Sequence, residues 1–409
     1  MKLSLAPSVA NCLRPLLLVL VVLVLLGLAA FGAPQLAERI GYRIGSPGTT
    51  DFLQYWTAGR LALSGANPFD ALAVSRVQQG VGLDGSIILM RSPPWTLLWV
   101  APLLLLPFEG AALMWLGLNM LMIVATAIVI SRLSVYRSPS LLSLGLGTAF
   151  FYPLWESLML GQFSILLMLF IATALFAADR ERPFLGGLLL APLAIKPHLF
   201  VLLGVGALVW ATTHRRPSIV LGAVCGFGIT LAGTAALSPA LMGQWFESLF
   251  SATRLAGAVP VREWVTATLP GAVRLLLYRT TGSASLWPLW WCPVAGLLLL
   301  ALTLRWRSLP LSWALFFPPL LCLSVFFAPY GWLFDQAVLL PLQLILLGRL
   351  PLMSCVQKVF TVVGLGAVQA AMLLQAVYTD GGQHAYFWTP AAWLAIWLSA
   401  ERQTNRICT

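Results

Sequence analysis

Three properties of this 409-residue chain predict an all-α, polytopic membrane helix bundle of about 12 transmembrane helices. Hydrophobic residues make up 60% of it and charged residues 9%, against roughly 25% charged in soluble domains. No soluble core hides that much apolar surface. The apolar runs are continuous rather than alternating, which excludes a long β-barrel and leaves helices as the spanning element. Basic residues gather in short segments between those runs, the sorting expected of loops kept inside. The net charge of +11 is therefore topological and does not point to nucleic acid. The six cysteines, Cys12, Cys225, Cys292, Cys322, Cys355 and Cys408, have neither disulfide nor metal-ligand spacing and read as small apolar fillers.

The elements follow from the charge rhythm. A first span over 14–33 runs from inside to outside and reads as retained rather than cleaved. An outer loop with interfacial helices, 34–93, comes next. The region 94–130 is either two short passes or a re-entrant piece followed by one pass. Keeping Arg132 and Arg137 inside requires an odd number of crossings and favours the second. Further spans are predicted near 139–152, 162–178, 184–196, 198–212, 218–237, 287–304, 310–328, 335–348, 359–377 and 387–399, with a second outer loop over 238–286. Several are shorter than the ~20 residues of a straight span, which suits broken helices held inside a bundle. Both termini are then cytoplasmic, and residues 1–409 form one membrane domain.

This parity puts the rare polar segments on one face: 34–93, the 152–162 turn, Lys196-Pro197-His198, the 328–335 turn and the 238–286 loop. Ionisable residues at a membrane are functional candidates by default. The interval 50–94 holds three of the chain's 13 acids, Asp51, Asp70 and Asp84. Thr49 or Thr50 would cap a helix whose imperfect amphipathic pattern, with Phe52, Tyr55, Trp56, Leu61 and Leu63 among Gln54, Thr57 and Arg60, suits the interface. Gly65 and Asn67-Pro68 would end it. Asp51 would sit in the first turn, either serving the helix dipole or pointing into a cleft as a general base.

Lys196 between two apolar runs must reach water or an anion, and Pro197 frees backbone groups toward a cavity. A simple hairpin with a snorkelling lysine is the alternative. Asp335, in Tyr330-Gly331-Trp332-Leu333-Phe334-Asp335, needs a partner such as Arg60, Arg91 or Lys196. Gly161-Gln162 follows Glu156, and the 238–286 loop carries Arg254, Arg262, Glu263, Trp264, Arg274 and Arg279. Each of these also has a plain structural reading, as a helix start, an ion pair or a surface helix.

Taken in order, the motifs carry more. Asp51 opens a Tyr/Trp-rich helix. Gly65-Ala66-Asn67-Pro68-Phe69-Asp70, Ser92-Pro93-Pro94, Ala101-Pro102-Leu103, Leu106-Pro107-Phe108, Trp115, Asn119, Gly161-Gln162, Lys196-Pro197 and Pro329-Tyr330 with Asp335 follow. This series resembles the membrane-embedded, polyprenyl-phosphate-sugar-dependent glycosyltransferases of the GT-C type. Within them it is most similar to the α-1,2-mannosyltransferase family that elaborates phosphatidylinositol mannosides and lipomannan in mycobacteria.

The resemblance implies a GT-C bundle in the plasma (inner) membrane with its active site facing the periplasm or outside. It implies inverting transfer of a sugar, mannose or another hexose or pentose, from a polyprenyl-phosphate-linked donor to a lipid or glycan acceptor hydroxyl. It implies Asp51 as general base and Lys196 as the cation for the donor phosphate, with His198, Arg60 and Arg91 as helpers. Tyr55, Asp70, Gln162, Tyr330 and Asp335 are the expected acceptor- or sugar-binding residues. Neither a metal nor a cofactor is expected; membrane lipids are. The chain departs from the family at Tyr330–Asp335, where some relatives carry histidines, and at Arg91-Ser92, where an aromatic often precedes the Pro-Pro pair. Two other readings are a transporter or flippase of a polyprenyl-linked lipid and a non-catalytic subunit of an envelope assembly. No convincing inverted repeat supports the first.

Overall fold

The computed structural model describes residues 27, 32–134, 140–255, 266–283, 285–306, 313–378 and 382–401. The first predicted span, Arg137, Arg262, Glu263 and Trp264 fall outside these residues in whole or most part. The described chain is helical throughout, without a strand. The helices are α1 (Phe52–Leu63), α2 (Ala71–Gly80), α3 (Phe108–Ser131), α4 (Leu141–Ala149), α5 (Tyr152–Leu160), α6 (Ser164–Asp179), α7 (Pro183–Leu190) and α8 (Val201–Thr213). They continue as α9 (Pro217–Leu237), α10 (Leu241–Leu255), α11 (Leu269–Thr281), α12 (Trp287–Trp306), α13 (Trp313–Phe326), α14 (Leu340–Arg349), α15 (Cys355–Tyr378) and α16 (Thr389–Glu401). The four described cysteines, Cys225, Cys292, Cys322 and Cys355, are free.

Four stretches are long and apolar enough to cross a membrane: Phe108–Ser131, Pro217–Leu237, Leu333–Leu352 and Cys355–Tyr378. Five shorter apolar helices accompany them. Only 22–28% of the first, second and fourth is buried, whereas 89% of Leu333–Leu352 is. The stretch carrying Asp335 is therefore the centre of the bundle, and the others turn apolar faces outward. The bundle is a polytopic, all-helical membrane architecture.

Several expected spans are broken. The 139–152 span is the nine-residue α4, about 13 Å long at 1.5 Å per residue and too short for a ~30 Å core. The 152–162 turn is the helix α5. The break is set by Phe151 in the extended region and Pro153 in the first turn of α5. Side chains satisfy the freed backbone: Gln369 accepts from the Tyr152 N–H at 3.0 Å, and Gln343 donates to the Gly147 carbonyl at 2.5 Å. Residues 94–105 form two 3-10 pieces, Pro94–Trp99 and Ala101–Leu105, ahead of the single long α3. Within the described part of 238–286 the chain forms the helices α10 and α11.

α1 also differs from expectation. Its sequence pattern is that of an imperfect amphipathic helix, yet nine of its twelve residues are buried within the protein. The reason is close packing: a Cβ at Gly59 would stand 2.5 Å from Leu104, so the helix seats against the 3-10 pieces. Gly65, at φ +76°, turns the chain after it.

The tightest helix pair is α7 on α9. A Cβ at Gly222 would stand 2.0 Å from the Phe184 carbonyl oxygen, and one at Gly187 would stand 1.8 Å from the Ile219 oxygen. Small residues let the backbones meet, as at membrane helix interfaces generally. Gly222→Val is expected to lower stability by about 1–3 kcal/mol. Thermal unfolding in detergent checks this, with Gly228→Val as control because a Cβ there meets nothing within 4 Å.

Candidate active site

A polar cluster forms where four distant parts of the chain meet. Asp51 stands at the N-terminus of α1, and Gln162 and Ser164 at the junction of α5 and α6. Lys196 lies between the 3-10 pieces Ala191–Ile195 and Pro197–Leu199, and Asp335 in the 3-10 piece Leu333–Leu339. Broken helices are what bring them together, because each break exposes a short polar segment inside the bundle.

Gly161 makes the first junction possible. It ends α5 in the left-handed conformation, φ 76°, and a Cβ there would lie 2.2 Å from the Gly48 carbonyl oxygen. Two backbone hydrogen bonds clamp the α1 approach onto the end of α5: Gly48 N–H to the Met159 oxygen at 2.6 Å and Asp51 N–H to the Leu160 oxygen at 2.8 Å. Trp115 Nε1 donates to the Gly161 oxygen at 2.9 Å. Asp51 is thereby held beside Gln162. Gly161→Ala is expected to displace this clamp and cut sugar transfer by about a hundredfold, the scale of a 1 Å misplacement. Transfer by isolated membranes measures it, with Gly117→Ala as control, since a Cβ at that glycine meets nothing.

Asp51 occupies the N-cap position but makes no side-chain cap hydrogen bond. Thr49, one of the two expected caps, instead donates its hydroxyl to the Ser46 oxygen at 2.7 Å. The Asp51 carboxylate accepts from Gln162 Nε2 at 2.5 Å. Gln162 Oε1 accepts from Lys196 Nζ at 2.9 Å and from the Tyr55 hydroxyl at 3.2 Å. Lys196 also donates to Ser164 Oγ at 3.1 Å and pairs with Asp335 Oδ1 at 2.5 Å. The Ser164 hydroxyl reaches the same Asp335 oxygen at 3.1 Å, and the Trp332 N–H donates to Asp335 Oδ2 at 2.9 Å. The Lys196 ammonium lies 4.9 Å from the Phe334 ring centroid.

Burial grades the cluster. Lys196 is 6% exposed and Asp335 2%, while Asp51 is half-buried. The cluster is closed at the ion pair and open at Asp51. Arg91, Pro197 and Tyr330 are exposed. His198, half-buried, stacks on Tyr330 with ring centroids 3.8 Å apart. The Arg91 guanidinium acts electrostatically on the Tyr330 hydroxyl. Cavities of about 550 and 420 Å³ lie elsewhere, one along α15 at Val356 and Phe360, the other between α4, α14 and α15.

Burial pushes the Asp51 carboxyl above the ordinary carboxylate range; the Gln162 hydrogen bond and the Lys196 charge pull it back, and the Asp335 charge raises it again.

Of the candidates named from the sequence, Asp51, Tyr55, Gln162, Lys196 and Asp335 share one hydrogen-bonded network; His198 and Tyr330 lie within electrostatic reach of Asp335, and Arg91 within reach of Tyr330. Arg60 and Asp70 lie apart. Nine residues along a helix turn the chain by two and a half turns, so Arg60 points away from Asp51. It is exposed, donates to the Leu104 oxygen at 3.0 Å and stands 5.7 Å from the Trp56 ring centroid. Asp70 caps α2, accepting from Leu72 N–H at 2.7 Å and Ala73 N–H at 3.1 Å. Ser164 was not singled out by sequence; a serine at the start of an apolar helix reads as a helix start. Among the described residues, no group of three His, Cys, Asp or Glu side chains could hold a metal ion.

Comparison with curated proteins and with solved structures gave no match. The model of glycosyltransferase family 87 matches residues 92–329, more than half of the chain, including Gln162, Ser164 and Lys196 and ending just before Tyr330. An all-helical membrane bundle with a buried polar cluster thus coincides with a family defined by sugar transfer, and the chain belongs to glycosyltransferase family 87, as a membrane glycosyltransferase.

Proposed function

We propose that this enzyme transfers a sugar, mannose or another hexose or pentose, from a polyprenyl-phosphate-linked donor to a lipid or glycan hydroxyl. The reaction inverts the anomeric centre and takes place at the outer face of the plasma (inner) membrane. Asp51 is the general base. It takes the proton from the acceptor hydroxyl as that oxygen bonds to the anomeric carbon. The bond from that carbon to the phosphate oxygen breaks, and polyprenyl phosphate leaves with the electron pair. Charge developing on the leaving phosphate is offset by the cationic side of the site, where Lys196 lies inside and Arg91 is exposed. His198 contributes a hydrogen bond. The exposed Tyr330 is suited to the face of a sugar ring, and Tyr55 and Gln162 line the approach to Asp51.

One observation carries this reading. The Asp51 carboxylate is not used as a helix cap; it is held by the Gln162 amide at the open end of the cluster. A base needs such a carboxylate, oriented and reachable by a hydroxyl. A lipid-linked donor fits a site set among apolar, outward-turned helices. The test uses membranes from cells with and without the gene, supplied with radiolabelled polyprenyl-phosphate sugar. Label appearing in a larger glycolipid or glycan only when the gene is present is the expected result. Label that crosses the bilayer without forming a glycosidic bond would replace this reading with that of a lipid transporter.

A further inference from the structure

The ammonium of Lys196 has three N–H donors, and the structure gives all three a partner within the protein: Gln162 Oε1, Ser164 Oγ and Asp335 Oδ1. Its charge is paired with Asp335, and it is 6% exposed. A donor phosphate could bind Lys196 only by displacing one of these groups from a nearly closed end of the cluster.

The orientation of Gln162 shows what the lysine does instead. The two ends of an amide are alike in shape, so the polarity of its neighbours decides which way round it sits. Lys196 can only donate. The ammonium requires the amide oxygen on its side, and the Tyr55 hydroxyl, which could also accept, donates to the same oxygen. The amide nitrogen must then face Asp51, where it donates to Oδ2. A flipped amide would set NH₂ against NH₃⁺ and an amide oxygen against a carboxylate.

We propose that Lys196 is a positioning residue of this active site, acting on the base through Gln162: it fixes the polarity of the amide that orients the Asp51 carboxylate, leaving the direct contact with the donor phosphate to the exposed Arg91. This rests on the assignment of Asp51 as base. The groups acting on Asp51 from the packed elements are Tyr55 on α1, Gln162 at the α5–α6 junction, Lys196, and Asp335. Of these, Lys196 alone carries a positive charge.

The experiment is the pH profile of transfer, with kcat and donor KM measured separately, for wild type, Lys196→Met, Gln162→Met and the double variant. The relay predicts a loss of at least tenfold in kcat for each single variant, little change in donor KM, and an acid limb moved up by about one pH unit. Lys196 also acts on Asp51 directly through its charge, so the relay is read from kcat: because both changes break one chain of contacts, the double variant should lose no more kcat than the larger single loss. Arg91→Met should raise donor KM at least tenfold and leave the acid limb in place. If Lys196→Met instead raises donor KM and leaves kcat unchanged, the lysine holds the phosphate and the relay is wrong. Should Lys196→Met fail to accumulate, Gln162→Met decides alone, since it removes no charge: an unmoved limb overturns the proposal. An Asp51→Asn enzyme that still transfers sugar would remove the base itself, a separate failure from that of the relay.

Discussion

Asp51→Asn is expected to abolish sugar transfer while leaving the protein folded in the membrane. The substitution keeps the volume and leaves Gln162 Nε2 an oxygen to donate to, so the contact that joins α1 to the α5–α6 junction survives. What disappears is the capacity to accept a proton. General base catalysis contributes about 10²–10⁴-fold, and a loss of that size in kcat at unchanged expression is the signature. The pH dependence carries the same information. The base works only when ionised. Burial raises the Asp51 carboxyl above its ordinary range, so wild-type transfer should fall as pH drops through that raised value, with its acid limb above the ordinary carboxylate range. The Asn enzyme should lack this limb in whatever slow transfer remains.

Asp335→Ala is expected to cost the most stability of any single change in the cluster. It would leave the Lys196 ammonium, 6% exposed, with two neutral acceptors and no counter-charge. Removing one partner of a buried pair costs about 3–5 kcal/mol, because the other charge stays buried and unpaired. The Trp332 N–H, which donates to Asp335 Oδ2, loses its acceptor as well. Thermal unfolding in detergent should show the drop. Replacing both members together, Asp335→Leu with Lys196→Leu, should recover much of the stability, since apolar replacements of a buried pair are often neutral or better. It should not recover transfer, because Gln162 then has no charged donor to hold its amide. Recovery of both would mean that the pair is structural only.

The order of breaks along the chain explains what could be read in advance. Lys196 and Asp335 drew attention because a charged residue between apolar runs is costly unless paired. Asp51 and Gln162 did so through their neighbours Tyr55, Trp56 and Gly161. The pairing itself was open. Arg60, Arg91 and Lys196 were equal candidates for Asp335 by type, and only the central position of Leu333–Leu352 in the bundle brings Lys196 to it. Arg60 and Asp70 belonged to the same motif as Asp51, yet a helix turns its residues to different sides, and one went to a backbone carbonyl and the other to a cap. Hydropathy also counts turns poorly. It read 139–152 as a span, because a short helix and a long one have the same composition; Phe151 and Pro153 break it in space.

Composition by itself determined that this protein is a membrane bundle of helices, because backbone polar groups in lipid have to be satisfied within each segment and only continuous apolar runs allow that. It also determined which few residues would be too expensive to leave without a task. The tertiary structure decided which of them meet. That depends on backbone approaches set by residues carrying no charge, such as the left-handed Gly161 against the Gly48 carbonyl, and steric contact between segments over a hundred residues apart leaves no periodic trace in the chain.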